Sequence, residues 1–241
     1  MVQVWQAHLS GRYTATRGQW WNALSYLSEQ ADVITLTEGL QAREWIAEWA
    51  MAHGWEHVQP KGAENAILFR GLERDKDGQR DVAVRAEGVT ELSQRLPSGK
   101  RVTATWAKIN LHQRARPVAF VVSHLPAKVE GRSTFQRGKH YVTHAAAVRG
   151  LKRVVAEQNR RVSISFDANL NLRRPWVRAW ERVAFRRYQS AWRGKLPEAG
   201  TFKGRVIDWL LVGRGIRCDK AEPLRRLDGF DHRPFVVTLR V

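Results

Sequence analysis

Cysteine is nearly absent from this chain: Cys218 is the only one in 241 residues. That excludes a disulfide framework and a thiolate zinc site within one chain. No apolar run approaches the roughly 20 residues needed to span a bilayer. No basic segment followed by an apolar core opens the chain, so no signal peptide is expected. Low-complexity linkers and short-period repeats are missing too. Acidic residues are scarce, with 23 Asp and Glu against 41 Lys and Arg, a net charge of +18. These absences predict a soluble, intracellular, cytoplasmic protein without a membrane partner. The positive excess attracts polyanions and raises their encounter rate, which makes nucleic acid, DNA foremost, the expected partner.

Hydrophobic residues make up 43% of the chain, including eleven Trp, enough for a large core. At this length one β-rich domain over residues 1–241 is expected. Period-two and continuous apolar runs predict strands near 1–5, 33–37, 55–58, 65–69, 102–111, 118–122, 162–166, 206–212 and 235–241. Helical spacing predicts helices near 20–30, 41–53, 141–158 and 175–185, the last with Pro175 in its first turn. The stretch Arg74-Asp75-Lys76-Asp77-Gly78 reads as an exposed turn. Strands dominate and strict βαβ alternation is absent. The expected fold class is therefore α+β, as a layered α/β/β/α sandwich.

Polar residues stand where several apolar runs meet their loops. Glu38 follows Val33-Ile34-Thr35-Leu36-Thr37, and His124 follows Val118-Ala119-Phe120-Val121-Val122-Ser123. Asp167 and Asn169 follow Val162-Ser163-Ile164-Ser165-Phe166, Asp208 follows Val206-Ile207, and Asp231-His232 precedes the last strand. Strand ends on one side of a sandwich converge on one rim. Carboxylates there can hold a hard divalent cation such as Mg²⁺ or Mn²⁺. Imidazoles can donate to phosphate oxygens or transfer protons near neutral pH. Asp167 could activate a water while Asn169 donates to a phosphoryl oxygen, which is the equipment of metal-assisted phosphodiester hydrolysis.

These residues, in this order, resemble the endonuclease/exonuclease/phosphatase superfamily. The resemblance spans the chain through Thr37-Glu38, Ser123-His124-Leu125, Phe166-Asp167-Ala168-Asn169, Ile207-Asp208-Trp209 and Asp231-His232-Arg233-Pro234. It implies a four-layer sandwich of two mixed β-sheets, the DNase I-like fold. It also implies that Glu38 binds the metal with Asp231, that Asp167 orients or deprotonates the attacking water, and that Asn169 positions the phosphate. Asp208 would hydrogen-bond His232, and His232 with His124 would clamp the phosphate. Gln6 stands after Trp5 where the family carries Asn, and it joins the expected metal set, with His8 as an alternative contributor. Phe166 and Phe230 replace small residues of the family and would narrow the pocket or repack its floor.

Residues 173–195 hold eight Lys and Arg and one acid, Glu181. Arg174, Arg178, Arg182 and Arg186 recur every fourth residue and form one helical stripe, while Trp176, Trp180 and Val183 form an inward one. Arg174 and Arg178 would track a phosphate backbone, with Arg132, Arg137 and Lys139 across the same groove. Trp192 could stack a base. The expected activity is Mg²⁺-dependent hydrolysis of nucleic acid by a DNA endonuclease or exonuclease. Two alternatives stay open: an inositol- or lipid-phosphate hydrolase, and a catalytically impaired nucleic-acid-binding module of the same fold. His53, His57, His112, His140 and His144 have no comparable context and read as structural or solvated.

Overall fold

The computed structural model describes residues 2–12, 14–70, 83–92, 102–111, 116–127, 134–158, 161–193 and 195–241, of which 83 and 134–140 are described by their backbone alone. The predicted turn from Arg74 to Gly78 lies outside the described residues. In chain order the elements are β1 (Gln3–Ser10), α1 (Arg17–Gln30), β2 (Val33–Thr37), α2 (Arg43–Ala52), β3 (Glu56–Val58) and β4 (Ala66–Phe69). Then come β5 (Ala83–Glu91), β6 (Thr103–Asn110), β7 (Val118–His124), α3 (Thr134–Glu157) and β8 (Val162–Asp167). The chain closes with α4 (Pro175–Ala184), β9 (Gln189–Ser190), β10 (Asp208–Val212), β11 (Arg217–Pro223) and β12 (Phe235–Arg240).

The strands form two six-stranded mixed sheets, ordered β11-β12-β1-β2-β4-β3 and β5-β6-β7-β8-β10-β9. Each sheet has one parallel pair at its centre, β1 with β2 and β7 with β8, while the other pairings are antiparallel. A parallel pair needs a crossover, and α1 and α3 supply the two. Strands β2, β7 and β8 are buried almost end to end. They take the centres because both of their faces are covered, which is why they read as continuous apolar runs.

Period-two alternation assigns the faces. On β2, Ile34 and Leu36 face α1 and α2, where they join Trp20, Leu24, Leu27, Ile46 and Trp49. Leu24 and Leu27 are fully buried, each stabilising the fold by about 1.5–3 kcal/mol over an exposed position. Helix α1 opens on a capping box: Thr16 Oγ1 accepts the Gln19 N–H and Gln19 Oε1 accepts the Thr16 N–H at 2.9 Å. On β8, Ile164 and Phe166 face α3 and α4 and share one core with Leu151, Val155, Val177 and Trp209. The order of layers is thus helices, sheet, sheet, helices, the expected α/β/β/α sandwich.

The opposite faces of β1, β2 and β8 meet between the sheets, and there the layer turns polar toward one end. Ser165 Oγ donates to Thr35 Oγ1 at 2.8 Å, and Ser163 Oγ donates to Gln6 Oε1 at 2.6 Å. Strand β1 continues to Ser10, well past the predicted end at Trp5. Its inner positions Gln6, His8 and Ser10 are polar yet buried, so the sequence reads as a loop where the chain is still extended. Helix α3 begins at Thr134 rather than Tyr141. The strands not expected, β5, β9 and β11, are all sheet edges, where no second neighbour imposes an apolar pattern.

Helix α4 corrects one face assignment. Its inward anchor is Val177, fully buried, with Trp180 packed against the core beside it. Trp176 and Val183, expected inside, are 47% and 75% exposed. One residue of helical phase makes the difference: Trp176-Trp180-Val183 and Val177-Trp180-Ala184 both suit a helix, and the second packs on the core of β7, β8 and β10.

Candidate active site

Strand direction brings the site together. The parallel strands β1, β2, β7 and β8 all finish at one rim, and the antiparallel strands β10 and β12 start there. Register then fixes the neighbours: His124 pairs with Asp167 across β7 and β8, Asp167 with Asp208 across β8 and β10, and Ser10 with Thr37 across β1 and β2. Glu38 and Asn169 follow two of these ends in the left-handed region, at φ 57° and 52°. Non-glycine residues are uncommon there and hold only where the surroundings fix them. At β1 the next residue is Gly11, and a Cβ on it would meet the Thr37 carbonyl oxygen at 2.8 Å. The rim therefore needs glycine at that crossing.

Asp208 is the anchor. It is 1% exposed, its Oδ1 accepts from Ser10 Oγ at 2.6 Å, and its Oδ2 accepts from His232 Nδ1 at 2.8 Å. Because the carboxylate can only accept, Nδ1 carries the proton and Nε2 points onward. That Nε2 lies 4.0 Å from Asp167 Oδ2. Burial alone would raise the Asp208 pKa, but the charge and hydrogen bond of His232, with His8 beside it, hold it well below the usual carboxylate range. Burial likewise works against the His232 cation, yet Asp208 above all, then Asp167 and Asp231, push its pKa up to about 9. The Phe202 ring backs the imidazole at 4.7 Å between centroids.

His124 sits on the other side of Asp167. Its Nε2 is 3.7 Å from Asp167 Oδ2, and its Nδ1 is 3.4 Å from Glu38 Oε1 and 3.8 Å from Glu64 Oε2. Burial opposes its charge, but Glu64, Asp167 and Glu38 outweigh that and raise its pKa. Asp167 itself is 3% exposed. Burial first, then the Asp208 charge, push its pKa up to about 6 against the pull of both imidazoles. The Asn169 N–H donates to Asp167 Oδ1 at 2.8 Å, and the Asn169 amide donates to the Leu125 carbonyl at 2.9 Å, tying the β7 and β8 loops together.

The structure thus brings Glu38, His124, Asp167, Asn169, Asp208, Asp231 and His232 to one rim. It does not bring Gln6 there. Gln6 is fully buried four residues before the end of β1, roughly 13 Å back along a strand, and bonded to Ser163 between the sheets. Ser10 occupies the rim position on β1. His8 lies between, with Nδ1 3.1 Å from Thr35 Oγ1 and Nε2 3.8 Å from Asp208 Oδ1. Phe166 and Phe230 leave the rim unobstructed. Phe166 packs with Phe185 and Trp209, and Phe230 packs edge-on against Trp20. Trp192 is 4% exposed and donates its indole N–H to the Asp208 carbonyl at 3.0 Å, so it supports the site and stacks no base.

Arg174, the N-cap of α4, and Arg178, in its first turns, are exposed. Arg132 lies outside the described residues, as do the side chains of Arg137 and Lys139. Ser10, Glu64 and Phe202 are rim residues that sequence reasoning passed over. Glu64 does carry a signal: with Asn65 it precedes the apolar run of β4, and an antiparallel strand meets the rim at its start.

The donor set fits a hard divalent cation. Five carboxylates face two imidazoles, oxygen dominates, and the raised Asp167 pKa marks a buried negative charge short of a cation. Asp167, Asp208 and His232 place one ligand atom each within 4.8 Å of one another. Both Asp208 oxygens are already hydrogen-bonded, however, which leaves Glu38 and Asp231 as the carboxylates that accept no hydrogen bond among the described residues.

No family model and no curated protein matches the sequence. Solved structures do match its shape. The human Nocturnin catalytic domain, determined with a bound sulfate anion, aligns over 99% of this chain and 93% of its own at TM-score 0.70 and 11% identity. A Bacteroides thetaiotaomicron mannosyl-6-phosphatase aligns over 99% and 100% at TM-score 0.69 and 14% identity. An endonuclease/exonuclease/phosphatase family protein of the same organism aligns over 99% and 97% at TM-score 0.69 and 13% identity. The chain has the fold of the endonuclease/exonuclease/phosphatase superfamily.

Proposed function

We propose that residues 1–241 form one phosphodiesterase domain that hydrolyses nucleic acid, DNA foremost, with a divalent cation, Mg²⁺ or Mn²⁺. The observation that carries this reading is the placement of Asp167 between two imidazoles, His232 at 4.0 Å and His124 at 3.7 Å, each held by other carboxylates. A base and two imidazole donors around one opening suit attack by water on a phosphoester. The net charge of +18 supports a polyanionic substrate.

Asp167, ionised above about pH 6, takes the proton of the attacking water. The Asn169 N–H fixes which oxygen of Asp167 faces that water. His232, cationic below about pH 9, and His124 donate to the phosphoryl oxygens as negative charge grows on them, and as the bond from phosphorus to the leaving oxygen breaks His232 gives that oxygen its Nε2 proton. Asp208 keeps the His232 ring in place and its charge intact. Glu38 and Asp231 would hold the cation, which when bound supplies further charge neutralisation at the phosphoryl group.

The test is incubation with supercoiled plasmid and with a small diester, bis(p-nitrophenyl) phosphate, in Mg²⁺, in Mn²⁺ and in EDTA. Metal-dependent cleavage that disappears in Asp167→Ala and His232→Ala is expected. Release of phosphate from monoesters with both diesters untouched would sink the reading and make the protein a phosphatase. Plasmid retardation without cleavage under any metal would make it a binding module.

A further inference from the structure

Away from the rim, α4 and β9 enclose a pocket of about 400 Å³. Arg178, Arg182 and Arg186 line one wall and Arg193 another. All four are exposed, and no ion pair to a described carboxylate neutralises them beyond the nearby charge of Glu181. Glu181 is a poor counterion: burial pushes its carboxyl pKa upward, and its side chain is hydrogen-bonded to Ser190. Four guanidinium groups thus line one pocket beside one such acid, and an anion seated there gains from their charge. Tyr188, half-buried on the same wall, adds a flat aromatic face.

We infer that this pocket seats one unpaired nucleotide of a single-stranded nucleic acid, its phosphate against the arginines and its base against Tyr188. The inference rests on the proposed nucleic-acid substrate and adds a second contact site outside the reaction centre. Size selects the ligand: ligand pockets run from about 300 to 1,000 Å³, and this one is small. A single nucleotide enters such a space, whereas the face of a duplex does not. The chemistry matches the usual single-strand pattern of backbone charge plus a stacking ring. The pocket lies outside the rim but within one strand's reach of it. Ser190 on its wall pairs with Leu211, three residues along β10 from Asp208, roughly 10 Å away. Trp192 links the two directly, lining the pocket while bonded to the Asp208 carbonyl.

The experiment measures binding apart from chemistry. Fluorescein-labelled oligothymidylate and a duplex of equal length are titrated in EDTA, by anisotropy, at several salt concentrations. The pocket variant is Arg182→Ala/Arg186→Ala. The charge-matched control is Arg225→Ala/Arg226→Ala, exposed near α1 on the far side of the sandwich. The pocket variant should bind the single strand about tenfold more weakly, with a salt slope shallower by about 0.7 per arginine removed. The control should change about twofold or less, and turnover of bis(p-nitrophenyl) phosphate in Mg²⁺ should be unaltered in both. Arg193→Gln, on the other wall, repeats the test if the double variant is unstable. Equal losses in pocket and control variants, or equal losses on duplex and single strand, overturn the inference. Wild-type cleavage of nucleic acid with an indifferent pocket variant defeats the pocket alone. Pocket-dependent binding without any cleavage defeats the hydrolase reading and leaves the pocket standing.

Discussion

At the rim, Glu38, Glu64, Asp167, Asp208 and Asp231 gather around two imidazoles; at the α4–β9 pocket, four arginines gather around one carboxyl. The first group is largely buried and cross-linked by hydrogen bonds. The second is exposed and forms no ion pair among the described residues. A net charge of +18 attracts polyanions, yet the candidate site gathers five carboxylates. On the proposed reading, affinity and chemistry are separated in space. The rim carboxylates would hold a cation and favour the charged form of the imidazoles, and the arginines outside would offset the repulsion a phosphate meets there.

Removing metal should have the largest effect. In excess EDTA cleavage of plasmid and small diester should cease and return with Mg²⁺, while oligonucleotide affinity, set by the arginines, should hold. Mg²⁺ should also raise the melting temperature, since it binds the folded rim and not the unfolded chain. A protein equally active in EDTA would end the contrast between the two regions.

Next in size is His232→Ala. Losing a cationic donor and proton carrier costs about 10³-fold in kcat, whereas single-strand binding in EDTA should stay within about twofold. The converse experiment is the pocket double variant, which should weaken binding and spare small-diester turnover. A His232→Ala protein with intact kcat would remove the imidazole from the chemistry.

Much of the rim was legible because strand ends have a signature: an apolar run that stops on Glu, His or Asp. The signature failed in two physical situations. Where β1 lines the polar seam, Gln6, His8 and Ser10 alternate inward, so a buried strand looks hydrophilic and its end is misplaced. Where β4 starts at the rim, Glu64 precedes its run instead of following it. The pocket was half legible. The four-residue arginine spacing was plain, but Trp176, Trp180 and Val183 looked like the buried stripe, and only packing against the sheet of β7, β8 and β10 selects Val177. Arg193 joins through a chain reversal at β9, a strand of two residues that no periodicity marks.

The pH profile sharpens the rim side. The Asp167 pKa is raised to about 6, so kcat/KM should climb about tenfold per unit below that value as the base ionises. The His232 pKa is raised to about 9, so activity should fall above it as the imidazole loses its proton. The same displacement from the ordinary value of 6.5 means that this histidine stabilises the fold fully below about pH 6.5 and ceases to as pH rises through about 9. Asp208→Asn takes away the main cause of the shift, and the alkaline limb should move toward neutrality. An alkaline limb that stays near 9 in Asp208→Asn would assign it to another group.

The smallest effect expected is that of Ser10→Ala, and its size distinguishes an anchored carboxylate from a merely buried one. Ser10 Oγ donates to Asp208 Oδ1 at 2.6 Å and accepts from Thr37 Oγ1 at 2.9 Å. Deleting a hydrogen bond to a buried charge ordinarily costs about 1.5–3 kcal/mol. Here Oδ2 keeps its bond from His232, and the Thr37 hydroxyl, which donated to Ser10, is freed to turn toward Oδ1. The loss should therefore fall to about 1 kcal/mol in stability and about fivefold in kcat, with oligonucleotide binding unchanged. Pairing the substitution with Thr37→Val removes that reserve. If Thr37 is the reserve donor, the double variant loses more than the two single losses combined; strict additivity would show that Asp208 depends on His232 alone.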